Sequence, residues 1–302
     1  MEGAQRQGKC AANRPGTSPG ALAGMPRYSL RAIPSSRWIA RRAADYNSAM
    51  SSITLLALDT STEFCSVAVY RHDPASGAPA FVAERHLDTG PVSSTHILPA
   101  ARDVLREAGL TLADCDAIAF GAGPGSFTGL RTACGVAQGL AFGGGLPVVP
   151  VGTLVACAEA ARALRVGTQR VLVALDARMN EAYWADYVWD DATGDWREVQ
   201  APSLDAAEQV RAPDAEFVIA GNAVTAFGER LQASVQAQAV LADAMPRARH
   251  VAELAARAFA RGEAIPADQA MPVYIRNKVA QTTSEREAIK QAGAQASGKG
   301  AS

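Results

Sequence analysis

Three sets of residues in this sequence have types and spacings suited to chemistry. The first is the turn Gly121-Ala122-Gly123-Pro124-Gly125-Ser126-Phe127-Thr128-Gly129-Leu130-Arg131, set between an apolar run at 116–120 and apolar residues at helical spacing as far as Phe142. Such a pattern joins a strand to a helix. The free N–H groups of a helix N-terminus attract anions, which makes the turn a phosphate-site candidate; a tight chain reversal that needs glycine is the competing reading. Neither a Gly-Lys-Ser/Thr ending nor a Gly-x-Gly-x-x-Gly register is present. The second set is Asp59 and Asp176, each closing an apolar run. Facing each other they could hold a divalent cation or exchange protons, and the alternative is that each accepts hydrogen bonds from its own turn. The third is Ser126, which fails the Gly-x-Ser-x-Gly nucleophile pattern because Pro124 and Thr128 flank it, and reads as a helix N-cap.

Other reactive side chains form no local constellation. His72, His86, His96 and His250 include no pair at metal-ligand spacing, and Cys10, Cys65, Cys115, Cys134 and Cys157 include no Cys-x-x-Cys. Scattered cysteines are expected of reduced thiols in a cytoplasmic protein. Residues 1–50 carry Lys9 and seven arginines against Glu2 and Asp45, so with a whole-chain net charge of −1 the other residues carry −7. A body this acidic is a poor grip for a phosphate backbone, so any contact with nucleic acid is expected to be indirect. No apolar run is long enough to span a bilayer.

These residues must be positioned by elements that the pattern predicts in two rounds. Strands are expected at 53–59, 64–70 and 80–87, then a helix capped by Ser94 or Thr95 with Ile97, Leu98, Ala101, Val104, Leu105 and Ala108 on one stripe. A strand at 116–120, the glycine turn, the helix to Phe142, a strand at 147–151 and a helix at 153–164 follow. The second round opens at Val171-Leu172-Val173-Ala174-Leu175-Asp176, whose last three residues repeat Ala57-Leu58-Asp59. Strands near 195–199 and 217–220 and helices at 204–211 and 221–231 continue it, and a last helix spans 250–260. A strand meander opening each half argues for an α/β fold of two duplicated lobes, the plan of the actin, Hsp70 and hexokinase superfamily with its ribonuclease H-like lobes, over an alternating Rossmann sheet. The expected division is an extension at 1–50, a first lobe at 51–152 completed by 247–276, a second lobe at 153–246 and a tail at 277–302. The extension and tail have compositions too poor in apolar residues to order themselves.

In nucleotide-using members of that superfamily the hairpin after each first strand contains glycine. Here the counterparts are Asp59-Thr60-Ser61-Thr62 and Asp176-Ala177-Arg178-Met179-Asn180, without glycine. A Cβ there obstructs close approach of phosphate, so Asp59, Thr60, Ser61, Asp176, Arg178 and Glu181 are expected at an inter-lobe cleft that does not bind nucleotide in the usual superfamily manner. The stretch 132–146 is almost uncharged, and a helix apolar all round must be covered on every side, by its own lobes or by a partner.

Taken together, Leu56-Ala57-Leu58-Asp59-Thr60-Ser61-Thr62, Gly123-Pro124-Gly125-Ser126-Phe127-Thr128-Gly129-Leu130-Arg131, Asp176-Ala177-Arg178-Met179-Asn180-Glu181-Ala182-Tyr183-Trp184 and Pro272-Val273-Tyr274-Ile275-Arg276 resemble the TsaB family, also called YeaZ, over 53–280. The family usually lacks anything like residues 1–50. The resemblance implies a non-catalytic paralogue of TsaD, the transferase that places threonylcarbamoyl on the adenosine next to the tRNA anticodon. TsaD carries a His-x-x-x-His metal motif where this chain has Thr153 and Cys157, so neither catalytic nor metal residues are implied here. The implied partners are a TsaD homologue in a heterodimer, the ATPase TsaE in a larger complex and tRNA indirectly, with a homodimer as the alternative pairing of the free chain. ATP and a divalent metal would belong to those partners. Pairing in the family uses first-lobe helices, which nominates Ile97, Leu98, Ala101, Leu105, Leu130, Ala133, Val136, Ala137 and Leu140. A glycoprotease-like metallopeptidase or a small-molecule kinase of the same fold are the alternative functions.

Overall fold

The computed structural model describes residues 52–72 and 79–276; the expected extension and tail lie outside the described residues. Three apolar strands, β1 (Ile53–Asp59), β2 (Phe64–His72) and β3 (Pro79–Asp88), form an antiparallel meander, with Leu58 opposite Val67 and Cys65 opposite Leu87. Helix α1 (Ser93–Glu107) follows, then β4 (Ala117–Gly123), α2 (Phe127–Gly144) and β5 (Val148–Gly152). The order β3-β2-β1-β4-β5 puts the parallel strand β4 beside β1 and β5 beyond it at the edge. Helix α3 (Thr153–Leu164) leads into the repeat: β6 (Arg170–Asp176), β7 (Glu181–Asp190), β8 (Asp195–Ala206), β9 (Val218–Ala220), the short α4 (Ala223–Phe227) and β10 (Ala239–Leu241). Its order, β10-β9-β6-β7-β8, is the same plan read from the other edge. The fold is therefore α/β with two lobes built on one duplicated topology.

Each sheet is apolar on both faces because both are covered. One face of the first sheet packs Leu56, Leu58, Val67 and Phe120 against Ile97, Val104, Ala133 and Ala137 of α1 and α2. The other packs Leu55, Ala57 and Val149 against Ala248, Val251 and Ala255 of α5 (Ala248–Ala260). Helix α3 lies on the second sheet through Leu154, Cys157 and Ala161, and Val155 and Trp196 touch the cores of both sheets. None of the described helices is long and apolar enough to cross a membrane.

Two expected helices are corrected. Residues 204–211 do not form one: β8 continues to Ala206 because Leu204 pairs with Tyr183 and Ser203 with Trp184, while the Trp184 indole donates to Asp205. Cross-strand partners outweigh a helical spacing that only a local window sees. The expected helix at 221–231 stops after five residues, at Gly228 with φ +56, and continues as short 3-10 turns to Gln236. The cap of α1 also differs, since Val92 is its N-cap and neither Ser94 nor Thr95 caps it by a side chain. Long helices on the outer face thus belong to the first lobe alone.

Candidate functional site

The cleft is built from four chain segments: the β1–β2 hairpin, the glycine turn, the β6–β7 hairpin and the stretch 270–276. They surround a cavity of about 560 Å³ whose polar lining includes Ser61, Ser126, Asp176, Arg178, Asn222 and Arg276. Ser126 caps α2, its hydroxyl accepting from the Gly129 N–H at 3.4 Å, as the sequence pattern indicated. Asp176 accepts from the Arg178 N–H at 2.8 Å and pairs with its guanidinium at 3.3 Å. Glu181 is bound by Arg276 at 2.6 Å.

Asp59 does not face Asp176 across this cavity. It is 1% exposed and turned into its own hairpin, where Oδ1 accepts from the Ser61 N–H at 3.1 Å and the Ser61 hydroxyl at 2.8 Å, while Oδ2 has no partner. Burial pushes its pKa up to about 6, against the lowering effect of the two Ser61 hydrogen bonds. The folded state therefore holds this proton more tightly than the unfolded chain. Its contribution is fully present below about pH 4 and is lost as pH rises through about 6, on the order of 3 kcal/mol in all. His86 works the other way: burial, and then the charge of Arg247, push it down to about 4, so its contribution is lost as pH falls from 6.5 toward 4. Asp59→Asn is expected to remove only the first effect. Urea unfolding of parent and variant from pH 4 to 8 should give a stability difference that shifts toward the variant with rising pH, and a constant difference would refute it.

The glycines of the turn are explained by what lies against them. A Cβ added at Gly121 would sit 1.8 Å from Asp59 Oδ2, at Gly125 2.4 Å from the Ser61 carbonyl oxygen, at Gly129 1.8 Å from the Thr60 carbonyl oxygen and at Gly123 2.5 Å from the Val273 carbonyl oxygen. Thr60 also donates its hydroxyl to Gly129 O at 2.7 Å, and the Ser126 N–H donates to Ser61 O at 2.7 Å. The closest surface of the turn is thus occupied by three backbone carbonyl oxygens and the Asp59 carboxyl group, oxygens that do not attract phosphate. These residues do not fit a nucleotide phosphate held in the superfamily manner.

The donor set fits a metal no better. Thr153 and Cys157 are fully buried at the start of α3, and the Cys157 thiol donates to the Ala244 carbonyl. Burial pushes this thiol up, away from the thiolate that binds metal. Among the described residues no three His, Cys, Asp or Glu side chains gather as a metal site.

The helices divide the nominated contact positions. Ile97, Ala101, Ala133 and Ala137 are buried in the core of the first sheet, where they hold α1 and α2 in place, and Leu130 is buried at the cleft wall, so none of the five is exposed in the free chain. Leu105, Val136 and Leu140 are half-buried beside them, and Leu98 is 51% exposed. The outward stripe of α2 is Gly135, Gly139, Phe142 and Gly143, with Phe142 77% exposed and no atom within 4 Å of a Cβ built on any of these three glycines. The apolar count of the helix did not reveal this stripe, because a glycine scores the same whether it is covered or open. Tyr274 and Arg276 also line the cleft. Their residue types alone did not single them out, although both fall in one of the conspicuous motifs.

Comparison with known proteins gives consistent matches. The family model described as "TsaD: tRNA N6-adenosine threonylcarbamoyltransferase" matches residues 91–284. The tRNA threonylcarbamoyladenosine biosynthesis protein TsaB of Haemophilus influenzae is 36% identical over 239 residues, 76% of this chain and 96% of that protein. Its Escherichia coli namesake is 37% identical over 235 residues, 75% and 96% of the two chains. Among solved structures, YeaZ from Pseudomonas aeruginosa aligns with a TM-score of 0.65 and 41% identity, covering 74% of this chain and 99% of its own.

Proposed function

Because the chain belongs to the TsaB family, within the wider group that includes the threonylcarbamoyltransferase TsaD, we propose that it is the non-catalytic subunit that binds and supports a TsaD homologue during threonylcarbamoyladenosine formation in tRNA. The observation that carries this reading is the outward stripe of α2. Glycine costs about 1 kcal/mol relative to alanine in a helix interior. Gly135, Gly139 and Gly143 recur every four residues with open space above them. Among the described residues nothing packs against these positions to repay that cost. A second helix packing closely along the stripe does, since i±4 ridges interlock best where small residues leave a groove.

Phe142 supplies the apolar anchor at the end of the groove, and the neighbouring α1 adds Leu98. Interfaces of this kind draw most of their energy from a few such residues. The backbone-filled glycine turn and the neutral Cys157 support the assignment of catalysis, nucleotide and metal to the partner chains. They give no support to a kinase or metallopeptidase. TsaE and tRNA join through the same assembly, and the acidic balance of residues 51–302 fits indirect contact with tRNA.

The test is co-expression with a TsaD homologue from the same genome, followed by gel filtration and in vitro modification of tRNA. The two chains are expected to elute together, and modification is expected to stop when this chain is omitted. Separate elution together with undiminished modification would refute the role.

A further inference from the structure

The segment 270–276 links the second lobe to α2. It starts at the buried Ala270, whose carbonyl accepts from Gln138 Nε2 at 2.9 Å and from the Cys134 thiol, both on α2. The Val273 N–H donates to Ala122 O at 2.7 Å. The Tyr274 hydroxyl accepts from Arg131 Nε at 2.9 Å, its ring lies 5.3 Å from that of Phe127, and the Arg131 guanidinium lies 3.8 Å above the Phe127 ring. Two residues later Arg276 reaches the β6–β7 hairpin. Nη2 donates to Ala177 O at 2.9 Å and Nη1 pairs with Glu181 at 2.6 Å, with only 14% of the side chain exposed.

The hairpin that Arg276 grips is held away from its local preference. Arg178, Met179 and Asn180 have φ of 63, 58 and 64°, three successive left-handed residues, all with a Cβ. Side chains disfavour this region, and such backbone persists only where its surroundings over-determine it. Here the restraints are Arg276, the Arg178 N–H on Asp176 and the Arg230 guanidinium on Asn180 at 3.1 Å. Release of one restraint is expected to favour relaxation of the turn.

We propose that residues 270–276 are a latch that couples the strained turn at 177–181 to helix α2, with Arg276 and Tyr274 as positioning residues that hold the partner face in its docking geometry. Only its consequence for binding rests on the proposed function above. The coupling itself is a property of the isolated chain.

The test is amide hydrogen exchange on the full chain carrying Arg276→Ala, Arg276→Lys or Tyr274→Phe, paired with affinity for the TsaD homologue. Arg276→Ala is expected to speed exchange about tenfold or more both at 177–181 and at 127–138, while 248–260 keeps the parent rate. Arg276→Lys retains the charge opposite Glu181 and is expected to recover part of the protection in both segments. Tyr274→Phe loses only the Arg131 bond, so it should loosen 127–131 and leave 177–181 unchanged. Affinity for the partner is expected to fall about tenfold in Arg276→Ala, within the range of typical coupling between sites. Parent-like exchange at 127–138 in Arg276→Ala would overturn the latch, and so would parent-like exchange at 127–131 in Tyr274→Phe should the alanine variant not fold. A parent chain that binds no TsaD homologue would instead overturn the proposed function, with the exchange results still deciding the latch.

Discussion

Gly129→Ala is expected to prevent folding, whereas Gly139→Ala on the same helix is expected to raise the melting temperature. At position 129 the new Cβ would lie 1.8 Å from the carbonyl oxygen of the fully buried Thr60, whose hydroxyl is itself bonded to Gly129 O. Neither backbone can yield by more than about 1 Å without separating α2 from β1. A cost above about 4 kcal/mol is in the range reserved for severe core disruption, and it consumes a large share of the roughly 5–15 kcal/mol typical of whole domains. At position 139 the Cβ meets nothing within 4 Å. Only the helix propensity changes there, by about 0.5–1 kcal/mol in favour of alanine, or about 2–4 °C for a chain of this size. Thermal melts followed by circular dichroism check both signs. A soluble Gly129→Ala protein melting near the parent would show that the contact between hairpin and turn is loose.

The second large effect is expected on binding. Gly139→Arg fills the groove along α2 with a long charged side chain, and Phe142→Asp replaces its apolar anchor with a carboxylate. Both positions are open in the free chain, so both variants should melt within a few degrees of the parent. Affinity for the TsaD homologue is expected to fall more than about 100-fold in either, the loss typical of a central interface residue or of a steric block at one. Calorimetry or analytical gel filtration reads this directly. Parent-like binding in both variants would remove α2 from the interface, even if the chain still proved necessary for tRNA modification.

Comparing these positions shows what the sequence made legible. The repeated apolar runs ending in Asp59 and Asp176 indicated two lobes, since each run could only be a buried strand and each was followed by a meander. Ser126 was readable as a cap because a hydroxyl before a helical pattern has one common use. By contrast, the direction of Asp59 depends on the backbone of Gly121 leaving it room, a contact between residues far apart in sequence. The same limit hid the true extent of β8, which is decided by its register with β7. In α2 the sequence does not separate inward from outward positions, because alanine, glycine and leucine occur on every side of that helix. Only the sheet beneath it distinguishes Ala133 from Gly135.

The five-residue α4 has a consequence for stoichiometry. Duplication would ordinarily give a molecule two similar helical faces, one per lobe, and a protein with two sticky faces can grow into open chains of subunits. Here α3 covers the inner face of the second sheet, and among the described residues the helices on that lobe's outer face are reduced to one turn and a few 3-10 residues. Among the described residues only the first lobe presents long outer helices, so a chain paired through α2 as proposed offers no second face of that kind. If the chain pairs through α2 as proposed, assembly through that face stops at two subunits, and self-pairing is expected to compete with the proposed TsaD homologue for the same surface.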